Sequence, residues 1–160
     1  MKPIQLFPII ILLTACSESP VSAKTGDAPV STVSAATAPH GLDAKLIARG
    51  GEVYKANCAA CHGANAEGAP NWSKKGPDGK FPPPPLDASG HGWHHPKSAL
   101  VQTIKEGTLK LGGGMPAWKG TLTDSDIEAV LSWIQSRWPE DVYKNWALID
   151  EKARRGLARH

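Results

Sequence analysis

The 160-residue chain contains few of the residues that build metal clusters and disulfide networks. Its only cysteines are Cys16, Cys58 and Cys61, and only the last two form a C-x-x-C pair. A structural zinc site would need a fourth ligand, and no second C-x-x-C or H-x3-5-H pair follows the first. No βαβ pattern surrounds the pair either, as a thioredoxin-like redox centre would require. Zinc and dithiol chemistry are therefore disfavoured.

Long hydrophobic runs and large net charge are also missing. The apolar run of residues 6–13 follows Lys2 and is interrupted by Pro8. It is too short to span a bilayer and is typical of the hydrophobic region of a signal peptide. The formal net charge of +3 argues against a nucleic-acid-binding protein.

The chain does contain the pentapeptide Cys-Ala-Ala-Cys-His at residues 58–62, which reads C-x-x-C-H, the attachment signature of a c-type haem. Cys58 and Cys61 would form thioethers with the porphyrin vinyl groups, because a helical turn brings both sulfurs to one edge of the ring. His62 would then ligate the iron as the proximal ligand. The predicted cofactor is one covalent haem c.

The N-terminal residues predict export and a lipid anchor. Residues 13–16, Leu-Thr-Ala-Cys, resemble a bacterial lipobox, so residues 1–15 would be a signal peptide and Cys16 the lipidated N-terminus. An ordinary signal peptidase site nearby is the alternative. With Cys16 on lipid and two cysteines on haem, none remains for a disulfide. More than one acyl chain would hold the protein stably on a bacterial membrane, facing the periplasm.

The residues between the lipid site and the helical region predict a flexible connection. Residues 16–40 are mostly Ser, Ala, Thr, Val and Pro and show no periodicity, which indicates a disordered tether.

Three helices and no strands are predicted in the domain of residues 41–139. The first covers about residues 43–57, and the second follows Pro96 and stops at Gly107. The third begins after a Thr123 cap, with Asp126 three residues on, and carries an apolar stripe that includes Trp138. We expect Pro139 to end it.

Residues 140–160 are predicted to form an appended helical tail, which runs to about Arg155 and stops at Gly156. Docking on the domain, lying on a membrane and binding a partner all remain possible for it; docking is the simplest.

From about residue 42 to 139 the chain resembles the class I monohaem cytochromes c of bacteria. Gly50 and Tyr54 precede the haem motif at four-residue intervals, and the segment 114–118, Gly-Met-Pro-Ala-Trp, precedes the third helix. The resemblance implies an all-α, small cytochrome c fold: three or more helices and long loops wrapped around one covalent haem, here with an extra C-terminal helix. It also implies that Gly50 and Tyr54 pack where the first and third helices cross, against Val130 and Trp133.

The same resemblance implies that Met115 supplies the sixth iron ligand. The only other methionine is Met1, which the predicted signal cleavage removes. The family also has a proline carbonyl that orients the proximal histidine, for which Pro70 and Pro77 are both candidates.

The histidine-rich segment of residues 90–96 departs from the minimal family pattern. His91, His94 and His95 could form a second metal site, such as copper, although no acid or thiolate lies close by in sequence. The simpler interpretation is that Trp93 and one histidine line the haem edge and serve a propionate.

Together these features predict an electron carrier and not an enzyme, because no nucleophile, acid–base pair or substrate pocket can be identified. Seven lysines between residues 74 and 119 face only three acids, which predicts redox partners with acidic docking patches. Two alternatives stay open. One is a haem-containing electron-donor subunit of a dehydrogenase or copper-oxidase complex. The other is a haem enzyme or gas sensor with a displaceable distal ligand.

Overall fold

The computed structural model describes residues 38–157, which form five α-helices and no strand. The predicted signal peptide, Cys16 and nearly all of the predicted tether lie outside these residues. Within the described part, none of the helices has the length and apolar character needed to span a membrane. The helices are α1 (Ala44–Asn57), α2 (Ala59–His62), α3 (Lys97–Glu106), α4 (Asp124–Gln135) and α5 (Glu140–Leu157).

The centre of the fold is the crossing of α1 over α4, which Gly50 makes possible. A Cβ built on Gly50 would lie 2.0 Å from the Ala129 carbonyl oxygen and 2.8 Å from Trp133 Cβ. Tyr54 stacks on Trp133 with ring centroids 4.1 Å apart. The predicted partner Trp133 is confirmed. The closest backbone belongs to Ala129 instead of the expected Val130, which lies in the adjoining core.

The sequence predicted the start of α4 correctly but not its end. Thr123 and Asp126 form the predicted capping box, with each side chain bonded to the other residue's backbone N–H. The helix ends at Gln135 and not at Pro139, because the next residues tighten into a turn in which Trp138 N–H donates to the Gln135 carbonyl. Trp138 is nevertheless 4% exposed, so it belongs to the core from outside the helix.

The C-terminal helix α5 packs against the core, as the docking interpretation expected. Its Trp146 is 6% exposed and lies 5.8 Å from Trp138, centroid to centroid. The predicted stop at Gly156 is wrong, because α5 continues to Leu157. Ion pairs from Arg155 and Arg154 to residues one turn earlier support this last turn.

The turn Pro39–Gly41 lies at the predicted junction between tether and domain. Its His40 contacts the start of α5 and the turn before it. His40 Nδ1 lies 2.7 Å from a Glu140 carboxylate oxygen, and its Nε2 lies 2.9 Å from the Trp138 carbonyl oxygen. The ring also stacks on Tyr143 with centroids 4.1 Å apart. The chain therefore enters the compact part at the corner between α4 and α5.

Candidate functional site

The attachment motif occupies the corner where α1 ends and the single turn of α2 begins. Cys58 terminates α1, its N–H donating to the Tyr54 carbonyl at 2.8 Å, and its own carbonyl accepts from Cys61 and His62 at 3.1 and 2.9 Å. Both thiols are free, with Cys58 half-buried and Cys61 exposed. The turn thus presents two sulfurs and one imidazole from five consecutive residues, as the sequence predicted.

The pKa of the Cys58 thiol does not fit a redox-active dithiol. Burial, with a smaller contribution from Cys61, raises the pKa of the Cys58 thiol to about 11. Redox-active C-x-x-C pairs have a lowered thiol pKa, because the thiolate is the nucleophile. The pair therefore suits attachment to a cofactor better than thiol–disulfide exchange.

His62 is held as a neutral imidazole with a fixed tautomer. Its side chain lies in a buried position, and its Nδ1 is 2.8 Å from the Pro84 carbonyl oxygen, so Nδ1–H donates there. Burial lowers the His62 pKa, and the bond to Pro84 opposes this in part. The tautomer with the proton on Nδ1 leaves the Nε2 lone pair available to a metal. The predicted carbonyl partner is corrected: it is Pro84, and not Pro70 or Pro77.

The proline segment that contains Pro84 is attached to the loop after His62. The Pro83 carbonyl accepts from Ala69 N–H at 2.8 Å, and Leu86 N–H donates to the Ala66 carbonyl at 2.8 Å. Gly68 permits this close approach, since it has φ +69° and a Cβ there would lie 2.3 Å from Pro85 N. The sequence analysis predicted neither of these two hydrogen bonds.

Met115 is half-buried in a largely exposed loop, and its backbone is bonded to Thr108. Met115 N–H donates to Thr108 Oγ1 at 3.1 Å, and Thr108 N–H donates to the Met115 carbonyl at 2.9 Å. Gly107 (φ +69°) ends α3 directly against this loop, where a Cβ would lie 2.6 Å from the Met115 carbonyl oxygen. The sequence did not indicate Thr108, whose role depends on the fold of the loop.

Trp93 gives the site an unused polar group. Its Nε1 is buried and has no hydrogen-bond partner within residues 38–157, and its ring stacks on His94 with centroids 3.7 Å apart. A buried indole N–H normally finds an acceptor. Haem carries propionate carboxylates that can accept this bond, so the residues present fit the cofactor.

The three histidines do not form a metal site in the described part of the chain. There, no three His, Cys, Asp or Glu side chains are grouped as ligands. His91 instead stacks on Trp72 at 5.3 Å and meets His95 edge-on at 5.6 Å. Burial and the two neighbouring histidines lower the His91 pKa.

Comparison with known proteins agrees with this geometry. Residues 45–134 match the family model described as cytochrome c oxidase, cbb3-type, subunit III. The chain is 37% identical over 94 residues to the cbb3-type cytochrome c oxidase subunit CcoP of Azospirillum sp. (strain B510), covering 59% of this chain and 29% of that subunit. It is 33% identical over 104 residues to cytochrome c6 of Cladophora glomerata, covering 61% of this chain and 100% of the relative.

A second cytochrome c6, from Leptolyngbya boryana, is 34% identical over 90 residues, which cover 54% of this chain and 87% of the relative. The chain thus spans less than a third of the CcoP subunit of Azospirillum sp. and all of the Cladophora cytochrome. No solved structure gives a significant match. The chain belongs to the family of cytochrome c oxidase, cbb3-type, subunit III, and it is a monohaem class I cytochrome c that carries covalent haem c.

Proposed function

We propose that the protein is a membrane-tethered c-type cytochrome on the periplasmic side of a bacterial membrane, where it carries single electrons between redox proteins. It would not itself be an enzyme. The single observation that carries this proposal is the arrangement around His62, whose proton is held on Nδ1 by Pro84 and which shares its turn with two free thiols. When bound, haem c supplies an iron that changes between the ferrous and ferric states.

Four side chains would hold the cofactor. Cys58 and Cys61 would bind it covalently, and His62 and Met115 would ligate the iron as proximal and distal ligands. The support for Met115 is that Thr108 fixes both of its backbone polar groups, so the side chain starts from a defined position. Two protein ligands would leave no open position on the iron, which suits electron transfer and not oxygen chemistry.

An exposed apolar patch beside the Met115 loop is a candidate docking surface. Phe81, Leu109 and Leu111 are 44%, 59% and 79% exposed. A backbone bridge between Phe81 and Gly113 brings the two segments together. Scattered exposed leucines are ordinary, but three large apolar side chains on adjoining segments form a surface that a partner can cover.

Three of the seven lysines predicted to steer docking are already neutralised by ion pairs. Lys97 pairs with Glu128, Lys105 with Asp124 and Lys119 with Glu106.

Four lysines have no ion pair within residues 38–157: Lys74, Lys75, Lys80 and Lys110. Lys75 lies 5.6 Å from the centroid of the Phe81 ring, and Lys110 stands between Leu109 and Leu111. A partner with carboxylates around an apolar centre would complement this surface.

The charge-reversing double variant Lys75→Glu, Lys110→Glu tests the docking surface. The second-order rate of electron transfer with an acidic redox partner should fall as salt rises, because the Debye length shrinks from about 10 Å at 0.1 M to about 3 Å at 1 M. The double variant should be slower at low salt, and Lys45→Glu on α1 is the control with the same type of charge change. A wild-type rate that does not depend on salt would contradict the steering role.

The membrane tether rests on Cys16. We propose that residues 1–15 are removed, that Cys16 is lipidated and that residues 16–40 form the tether. Wild-type protein should incorporate a radioactive fatty acid and sediment with membranes, and Cys16→Ser should do neither. A mature N-terminus at any other residue would contradict the proposal.

The ferric protein itself tests the carrier function. It should show the weak charge-transfer absorption of a sulfur–iron bond and should not bind cyanide, nor the ferrous form carbon monoxide, readily at neutral pH. Ready binding would favour a haem enzyme or gas sensor.

The second candidate is a subunit of an oxidase complex, which the family match and the CcoP relatives favour. Co-purification with an oxidase at fixed stoichiometry, after solubilisation of the membrane, would support this subunit role over that of a free carrier.

A further inference from the structure

Two buried tryptophans that contact the loops of the site lie beyond the family match. The match ends at residue 134, whereas Trp138 and Trp146 follow it in the turn after α4 and in α5. They are 4% and 6% exposed, and their ring centroids are 5.8 Å apart. Packing in the core alone could explain two buried tryptophans. A further role has to be argued from the hydrogen bonds of their indole N–H groups.

Each indole N–H donates to a backbone carbonyl of a different loop. Trp138 Nε1 donates to the Leu86 carbonyl at 3.0 Å, and Trp146 Nε1 donates to the His95 carbonyl at 3.0 Å. Leu86 directly follows the proline segment, and His95 follows the turn that contains Trp93. Both bonds are partly buried, so water competes with them less than it does at an exposed surface.

The bond from Trp138 is two residues away from the carbonyl that orients His62. Leu86 is held on both sides, because its N–H donates to the Ala66 carbonyl at 2.8 Å while its own carbonyl accepts from Trp138. The four prolines 82–85 have fixed φ angles, so this segment moves as a stiff unit. A shift of Leu86 is therefore passed on to the Pro84 carbonyl and to the proton on His62 Nδ1.

We propose that Trp138 is a positioning residue for His62, acting through Leu86 and the proline segment. The inference rests on the proposed function, because it takes His62 as the proximal ligand. A hydrogen bond from Nδ1–H to a carbonyl raises the basicity of the ligating imidazole. A more basic imidazole stabilises ferric iron more than ferrous iron. Weakening the bond to Pro84 should therefore raise the reduction potential.

The test is Trp138→Phe in the full-length holoprotein, with Trp146→Phe as the matched control. Both variants keep an aromatic ring of the pair and remove one buried indole N–H, but only the first loses the bond to Leu86. In Trp138→Phe, the His62 ring proton of the ferrous protein should exchange with solvent roughly five- to tenfold faster, and the reduction potential should rise. In Trp146→Phe the exchange of that proton should match wild type.

The outcomes separate this inference from the proposed function. Covalent haem and histidine ligation are checked first in wild type, and their absence would contradict the proposed function itself. If Trp138→Phe holds haem and melts earlier, but its potential and His62 proton exchange match wild type, Trp138 is only a packing residue and the inference is wrong. A lowered potential would also contradict it.

A wild-type measurement keeps the inference testable if Trp138→Phe does not fold. As denaturant is added, the indole proton of Trp138 and the Nδ1 proton of His62 should lose protection in one step. Loss of the His62 protection while the Trp138 proton stays protected would overturn the inference.

Discussion

The His62 side and the Met115 side of the site are supported in different ways. On the His62 side, the proline segment is attached at Pro83, Pro84 and Leu86 to four different partners, and the two side-chain bonds among them are partly buried. On the Met115 side, both backbone polar groups of Met115 depend on Thr108 alone. The turn between these two residues exposes Leu109 and Leu111 and ends in three glycines.

We therefore expect the His62 side of the domain to be more rigid than the Met115 side. Several bonds hold different points of the proline segment near His62, so losing one should weaken the bond to His62 measurably but leave the segment in place. Thr108 alone bonds the Met115 backbone, and the loop is next held at Trp118 and Lys119, whose N–H groups donate to α3. Met115 itself should therefore shift locally at a lower free-energy cost. Leu109 and Leu111 of the exposed patch therefore lie on the side that can adjust to a partner, whereas Phe81 directly precedes the proline segment of the His62 side.

The largest expected difference between the sides is in cofactor retention. Cys58→Ala with Cys61→Ala should remove the covalent haem entirely, because both thioether sites are lost. Met115→Ala should keep the haem through acid–acetone extraction and denaturing electrophoresis, but should lose the sulfur–iron absorption and bind cyanide. Haem staining of the gel and a cyanide titration measure the two results. Haem loss from Met115→Ala would break the comparison.

A glycine variant tests the packing of the His62 side, with an open glycine position as its control. Gly68→Ala places a Cβ 2.3 Å from Pro85 N at a φ of +69°, so we expect a loss of about 2–4 kcal/mol of unfolding free energy. Gly114→Ala meets nothing within 4 Å and should change stability by less than about 0.5 kcal/mol. Denaturant unfolding of the holoprotein measures both. Equal effects would show that the contact between Gly68 and Pro85 is not tightly packed.

High pH should affect the His62 side through Tyr54, whose hydroxyl donates to the Gly63 carbonyl at 2.7 Å. Burial raises the Tyr54 pKa to about 12, from an ordinary value of about 10. A pKa that folding raises contributes stability that is complete below the unfolded pKa and is lost above it. Unfolding free energy should therefore fall as the pH rises from about 10 to about 12. In Tyr54→Phe this component should be absent; an unchanged slope would assign the fall to other groups.

The smallest expected effect comes from the single support of Met115. Thr108→Val removes the acceptor of the Met115 N–H and should cost about 1 kcal/mol, while Thr108→Ser keeps the oxygen and serves as the control. Cyanide should bind faster to the valine variant than to the serine variant. If both variants bind cyanide at the wild-type rate, the Met115 side has support beyond Thr108.

The sequence predicted the features that depend on neighbouring residues. The C-x-x-C-H turn, the Thr123 capping box and the ends of α1 and α3 each follow from a few adjacent side chains, and all are confirmed. The contact of Gly50 with Trp133 was also predicted, but through the resemblance to the class I monohaem cytochromes c and not through a local pattern.

The rest depended on how distant loops meet. Pro84 lies 22 positions after His62, and no local pattern distinguishes it from Pro70 or Pro77. The role of Thr108 could not be predicted either, because its bonds to Met115 form only when the loop folds back against it. Gly156 was expected to end α5, but a glycine costs only about 1 kcal/mol in a helix that ion pairs and packing already support.

The contact of His40 with the α4–α5 corner has a mechanical consequence. If the preceding residues are a tether, any pull from the membrane reaches the compact part at His40, which is fastened to Glu140, Tyr143 and the Trp138 carbonyl. The load then enters at α5 and bypasses the start of α1, which leads to the haem-attachment turn. With a lipid anchor at Cys16, His40 would carry the pulling force, and the Cys58–His62 turn would stay free of it.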